Sequence, residues 1–200
     1  MSYADWNSAW LNRLARLNAR ICYRYHRLKG HINTLPEHGA AIVVANHFSG
    51  LDPFLLIAAS HRPLRFLIAE EEYNRFGLKW LFKAVGCIPV DRRGRPEKAF
   101  RAARRALEQG EVIAIFPHGG IRLDSERNRK LKPGAVRLAQ MVECPIVPIR
   151  IDGIAREGTV FAALMHRSHA RLRSYSPIAC GGRELAECNH QIAGYIERMI

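Results

Sequence analysis

The chain has 200 residues, 48% of them hydrophobic, with 31 Lys and Arg against 18 Asp and Glu for a formal net charge of +13; this fits one ordinary globular domain with a real core and excludes a disordered chain. The longest uncharged apolar runs, residues 40–45 and 53–59, fall far short of the roughly 20 residues a membrane-spanning helix needs, and the opening MSYADWNSAW carries no basic stretch followed by an apolar one, so no signal peptide is expected. Five cysteines without a C-x-x-C pair argue against a disulfide scaffold or zinc ribbon and fit a reducing cytoplasm.

Residues 5–28 read as a helix. Trp6, Trp10, Leu14, Leu17, Ile21, Tyr25 and Leu28 recur at spacings of three and four, with Arg13, Arg16, Arg20, Arg24 and Arg27 between them. Such a pattern suits a helix lying on an anionic bilayer, and equally one that covers its own domain with a solvated basic face. After the turn signals Pro36 and Gly39, β-rich runs alternate with helical patterns. Strands are expected at 40–45, 65–69, 87–90, 112–116 and 146–151, and another at 170–176. Helices are expected at 53–60, 74–85, 97–109, 135–142 and 183–200, with Gly86 and Gly110 where helix C-caps belong. The alternation predicts an α/β fold, a single domain with a mostly parallel sheet flanked by helices. Residues 1–35 form an N-terminal amphipathic helical segment before a domain of residues 36–200. Functional loops then gather at the carboxyl ends of the strands.

Asn46-His47-Phe48-Ser49-Gly50-Leu51-Asp52 leaves the first strand. Imidazole can take a proton from a hydroxyl, and a carboxylate on its other nitrogen fixes the tautomer and stabilises the imidazolium. Asp52 before Pro53 also suits a helix N-cap followed by proline at N1, a purely structural use. Further along, Gly86-Cys87-Ile88-Pro89-Val90-Asp91-Arg92 is an apolar strand ending in charge. Phe116-Pro117-His118-Gly119-Gly120 leaves another strand for a glycine pair that can turn backbone N–H groups toward an anion. Arg122 and the later Lys132-Pro133-Gly134 add cations and a helix start. So basic a surface seeks phosphate, in nucleic acid, lipid headgroups or a small molecule, and its arginines suit bidentate contacts. No nucleic-acid-binding signature appears, and the cations concentrate in the N-terminal helix and these loops. There is no G-x-S-x-G nucleophile elbow and no clustered metal-ligand pattern. Cys87 and Cys144 sit in apolar strand contexts and read as buried, inert thiols.

From about residue 36 to about 177 the chain resembles the glycerolipid acyltransferases typified by 1-acylglycerol-3-phosphate acyltransferase. The N-H-x-x-x-x-D motif matches Asn46, His47 and Asp52; the second motif matches Gly86, Ile88, Val90 and Arg92; the V-P-I strand matches Val147-Pro148-Ile149. The third motif, F-P-E-G-T-R-S in the family, here reads Phe116-Pro117-His118-Gly119-Gly120-Ile121-Arg122, with histidine for glutamate, glycine for threonine and isoleucine for arginine. The resemblance implies acyl transfer from a thioester, acyl-CoA or acyl-carrier protein, to a lysophospholipid hydroxyl. His47 would be the general base, Asp52 its orienter, and Arg92, His118, Gly119, Gly120, Arg122 and Lys132 the acceptor-binding residues. It implies no metal or cofactor, and an enzyme peripheral on the cytoplasmic face of the cell membrane. The altered third motif implies a looser or shifted headgroup preference. Other readings of the same residues are a lipid-binding relative without activity and a nucleic-acid-binding protein.

Overall fold

Strands rich in β-branched residues and buried on both faces are what a parallel sheet between two helical layers demands, and AIVVA at β1 (Ala41–Ala45) is such a strand, wholly buried. The computed structural model describes residues 4–74, 77, 79–92, 94, 96–121 and 130–197. In chain order the elements are α1 (Ala9–Arg24), β1, α2 (Asp52–Ala59), β2 (Leu64–Ala69), α3 (Glu70–Tyr73), α4 (Lys79–Ala84), β3 (Ile88–Val90), α5 (Glu97–Glu108), β4 (Val112–Ile115), α6 (Gly134–Val142), β5 (Ile146–Asp152), α7 (Phe161–Met165), β6 (Arg171–Ser174) and α8 (Leu185–Ile196). The sheet order is β3-β2-β4-β1-β5-β6. The first five strands run parallel and β6 returns antiparallel to β5.

Side chains alternate across the sheet. Ala41, Val43 and Ala45 join Leu55, Leu56 and Ala163 in the core beneath α1, α2 and α7, whereas Ile42 and Val44 face Ala103, Leu107, Val136, Leu138 and Ile192 of α5, α6 and α8. β1 lies between β4 and β5, in registers Val43↔Ala114 and Val43↔Val147. The loops leaving β1, β4 and β5 therefore meet at one end of the sheet, where the strand order reverses.

The mostly parallel α/β architecture and the N-terminal helix agree with the sequence reading, and the strand bounds fall within a residue or two. α1 is shorter than 5–28, because left-handed φ angles of 51° at Asn7 and 49° at Arg27 stand outside its two ends. Residues 28–35 do not trail away: Leu28, Ile32 and Leu35 enter the core, and Lys29 pairs with the edge of β6. In place of one helix over 74–85 the chain forms α4, with Arg75, Phe76 and Leu78 outside the described residues. The last helix ends at Ile196, and 198–200 lie outside the described residues.

Of the two arrangements that its periodicity leaves open, α1 has the one with most of the large apolar residues outside. Its core-facing stripe is Leu11, Ala19 and Cys22, while Trp10, Leu14, Leu17, Ile21 and Tyr25 stand exposed beside the exposed arginines. Small side chains let α1 lie close on α2, anchored by Asn18 Nδ2 donating to the Phe54 carbonyl at 2.9 Å.

All five cysteines are free thiols buried in the core. Burial disfavours the thiolate, pushing Cys22, Cys87 and Cys180 up to about 12 and Cys144 up to about 11. The native protein should therefore leave dithiobisnitrobenzoate almost uncleaved at mildly alkaline pH and release five equivalents of chromophore only once denatured. A rapidly reacting thiol in the native state would contradict this packing.

Candidate active site

The chain leaves β1 at Asn46, whose buried amide closes a two-bond ring with β5. Nδ2 donates to the Ile151 carbonyl at 2.7 Å, and Oδ1 accepts from the Ile151 N–H at 2.7 Å. The side chain thus prolongs the β1–β5 ladder by one step and sets where the next residue, His47, departs.

His47 Nδ1 lies 2.9 Å from Asp52 Oδ2. The same oxygen accepts the Phe48 and Ser49 N–H groups at 2.7 and 2.9 Å, and Oδ1 accepts the Ser49 hydroxyl at 3.2 Å. Asp52 is fully buried. Four donors around one carboxylate are the partners that a buried ionised acid needs. Since the carboxylate only accepts, Nδ1 carries the proton and Nε2 keeps its lone pair. The His47 side chain remains 16% exposed at the carboxyl end of the sheet. Phe116, just past β4, stacks on the imidazole at a centroid distance of 4.0 Å and an interplanar angle of 14°. A histidine so held can take a proton at Nε2 and stay oriented as an imidazolium.

The expected N-cap role of Asp52 is corrected. Asp52 is itself the first helical residue, Leu51 is the N-cap, and no side chain caps α2. The carboxylate turns back to the 47–49 loop instead of capping the N–H groups ahead of it. Across that loop lies the segment before α7: Gly158 N–H donates to the Phe48 carbonyl at 2.7 Å and Gly50 N–H to the Thr159 carbonyl at 3.0 Å. A Cβ on Gly50 would come within 2.6 Å of the Val160 carbonyl oxygen, so glycine is required there by close approach.

The acceptor-side residues separate into two groups. Gly119 has φ +76°, and a Cβ there would stand 2.7 Å from Lys132 Nζ; at Gly120 a Cβ would stand 3.9 Å from Arg92 Nη1. The missing side chain at Gly119 admits the Lys132 ammonium, and Arg92 comes to ordinary contact distance of Gly120, so two cations from different segments stand over one turn, an arrangement suited to an anion. Lys132 is tied there by its N–H donating to the Pro117 carbonyl at 3.0 Å. Arg92 lies 3.8 Å from Glu71, a half-exposed contact of little strength. His118 does not join this seat. Its side chain is 0% exposed and Nε2 lies 3.4 Å from Glu197 Oε1. The side chain is thus turned into the fold here, in contrast to the acceptor contact that the resemblance implies for His118. Arg122 lies outside the described residues.

Asn46, Ser49 and Phe116 shape the site without having been assigned roles from sequence. Asn46 and Phe116 stand in the motifs themselves, but what each touches belongs to a strand far away in the chain. Among the described residues no three His, Cys, Asp or Glu gather as a metal-binding group.

Residues 27–152 match the family model described as Acyltransferase. The chain belongs to the acyltransferase family. Among curated relatives, it is 36% identical over 119 residues to the Mycoplasma genitalium protein named "Probable 1-acyl-sn-glycerol-3-phosphate acyltransferase", covering 56% of this chain and 44% of that protein. It is 25% identical over 120 residues to the 1-acyl-sn-glycerol-3-phosphate acyltransferase of Bacillus subtilis, covering 60% and 59%. The chain thus spans about half the length of the curated relatives it matches. In fold it is similar to the crystal structure of the 1-acyl-sn-glycerophosphate (LPA) acyltransferase PlsC from Thermotoga maritima, with a TM-score of 0.68 at 20% identity, over 96% of this chain and 80% of that one.

Replacing Asn46 by Ala removes both bonds and leaves the buried Ile151 amide unpaired, at a cost of about 2–4 kcal/mol. Urea denaturation should show that loss in the unfolding midpoint at constant slope. An unchanged midpoint would mean that the amide does not bind β5.

Proposed function

We propose that the protein is a peripheral membrane acyltransferase. It moves a fatty acyl group from a thioester, acyl-CoA or acyl-carrier protein, to the hydroxyl of a lysophospholipid, with 1-acylglycerol-3-phosphate as the acceptor best matched by charge. The observation that carries this reading is the oriented His47–Asp52 pair on a loop adjacent to the turn over which Arg92 and Lys132 converge. The names of the relatives point the same way. A phosphate seated on the two cations brings the glycerol hydroxyl of such an acceptor toward His47. That hydroxyl gives its proton to Nε2 as its oxygen bonds to the thioester carbonyl carbon. Collapse of the tetrahedral intermediate breaks the carbon–sulfur bond, and the imidazolium returns the proton to the departing thiolate. Ester and thiol leave with no acyl-enzyme formed, as the five buried thiols favour. Gly120, standing where the family pattern has threonine, brings no hydroxyl to the seat, and a loosened headgroup preference is part of this reading.

The outer surface of α1 supports the membrane location. No helix among the described residues is long and apolar enough to cross a membrane. Trp10, Leu14, Leu17, Ile21 and Tyr25 instead make an exposed apolar row about 22 Å long, from the ~1.5 Å rise per residue of a helix between positions 10 and 25. The row continues at one end into the exposed Trp80, whose ring lies 5.8 Å from that of Trp10, and at the other into α7, where the Tyr25 hydroxyl donates to the Met165 carbonyl at 2.6 Å. Arg13, Arg16, Arg20 and Arg24 flank it. Apolar insertion beside cations fits the anionic inner face of a cell membrane, and a nucleic-acid partner would leave the apolar row without a use.

His47→Ala should lower turnover by a factor of about 100 or more, the usual scale of a general base, while the melting midpoint stays put. Release of free thiol from the donor is the measure. Asp52→Asn should lower both turnover and stability, because its oxygen is the shared acceptor of three donors. A folded His47→Ala enzyme working at the wild-type rate would remove the mechanism.

Serine at Leu14, Leu17 and Ile21 together should weaken sedimentation with phosphatidylglycerol vesicles and leave the melting midpoint intact, since all three side chains are exposed. Added salt should weaken binding of the unaltered protein. Full vesicle binding by the triple variant would sink the membrane role of this face.

A further inference from the structure

The position that holds glutamate in the family pattern holds His118 here, and a glutamate from the far end of the chain comes to it. Glu197 directly follows α8, and its Oε1 accepts from His118 Nε2 at 3.4 Å. Its own backbone is fastened too. Arg150 Nη1 donates to the Glu197 carbonyl at 2.5 Å, while Arg150 Nε is held by both carboxylate oxygens of Asp152 at 3.2 and 3.0 Å. Arg150 and Asp152 flank Ile151, the residue gripped by Asn46. One polar chain thus runs from the first-motif asparagine through the end of β5 and the end of α8 to His118. His118 lies inside the turn whose preceding residue, Phe116, stacks on His47, and whose following residues, Gly119 and Gly120, seat Lys132 and Arg92.

We propose that Glu197 is a positioning residue for the acceptor: through the buried His118 it fixes the 116–120 turn, and with it the anion seat beside His47. The inference rests on the acyltransferase reading of that seat. Glu197 touches no substrate. Its carboxylate is 33% exposed, whereas His118 is wholly enclosed, so the pair acts by fixing backbone and not by contributing charge to the pocket. Displacement of a seat by a fraction of an ångström is felt as lost acceptor alignment, with donor binding untouched.

The test uses the full chain with lysophosphatidic acid as acceptor and acyl-coenzyme A or acyl-carrier protein as donor. Glu197→Ala and His118→Ala should each raise the acceptor KM about tenfold or more, leaving the donor KM near wild type. The double variant should be no worse than either single one, as for two groups acting as one unit. His118→Gln, whose amide can donate to the same carboxylate, should restore most of the acceptor KM. Glu187→Gln, on α8 and paired with Arg183 just ahead of that helix, should change nothing. Calorimetric binding of glycerol 3-phosphate should weaken in parallel, a readout that needs no turnover. An inactive wild type would remove the acyltransferase reading, and the binding series would then decide the role of Glu197 alone. Equal changes in both KM values together with a lowered melting midpoint, or unchanged acceptor KM and binding in the alanine variants, would overturn the proposal. Should Glu197→Ala fail to fold, the contrast between His118→Ala and His118→Gln decides it.

Discussion

The buried carboxylate of Asp52 is the constraint on which the site depends. A fully enclosed charge persists only where its lone pairs are met, and here they are met by four donors from three consecutive residues, His47, Phe48 and Ser49. Docking of α2 and shaping of the loop after β1 are therefore one event. Leu55 and Leu56 carry the helix into the core, Asp52 travels with them, and the loop must close around it. Orientation of the imidazole follows from that closure.

The sheet order turns separate loops into one site. Because β4 and β5 flank β1, Phe116 can lie flat on His47 and Asn46 can grip Ile151. Arg92, beyond β3 at the sheet edge, reaches back toward Gly120, and Lys132 enters from the approach to α6. Gly119 is the residue that admits the Lys132 ammonium, since a Cβ there would meet Nζ at 2.7 Å on a left-handed backbone.

The two helical layers treat their outer surfaces differently. On α5, Ala99, Ala103, Ala106 and Leu107 face inward and charged residues face outward, the ordinary arrangement of a covering helix. On α1 the inward stripe is Leu11 with the small Ala19 and Cys22, and most of the large apolar residues are left outside with Phe54, Trp80, Phe161 and Met165. Apart from Met141 on α6, the exposed large apolar residues among the described ones lie on elements of the α1 side, and they reach the His47 loop where Val160 crowds Gly50. Chemistry and apolar surface thus share one rim of the molecule.

By itself the sequence determined the parallel sheet, because strands buried on both faces must be short β-branched runs, and through its spacing it pointed to the His47–Asp52 pair that the fold brings into contact. α3 and α7, of four and five residues, are too short to show a period and were not legible. Nor was the facing of α1, since periodicity marks a stripe of like residues and is silent on whether a partner covers it. His118 shows the same limit. Its identity and its neighbours in the chain suggested an acceptor contact, but direction at a turn depends on what packs beneath. Only the tertiary structure, which brings Glu197 beneath His118 across 79 residues, decided that the ring points inward. Local pattern encodes what a residue can do, and long-range packing decides which of its neighbours it meets.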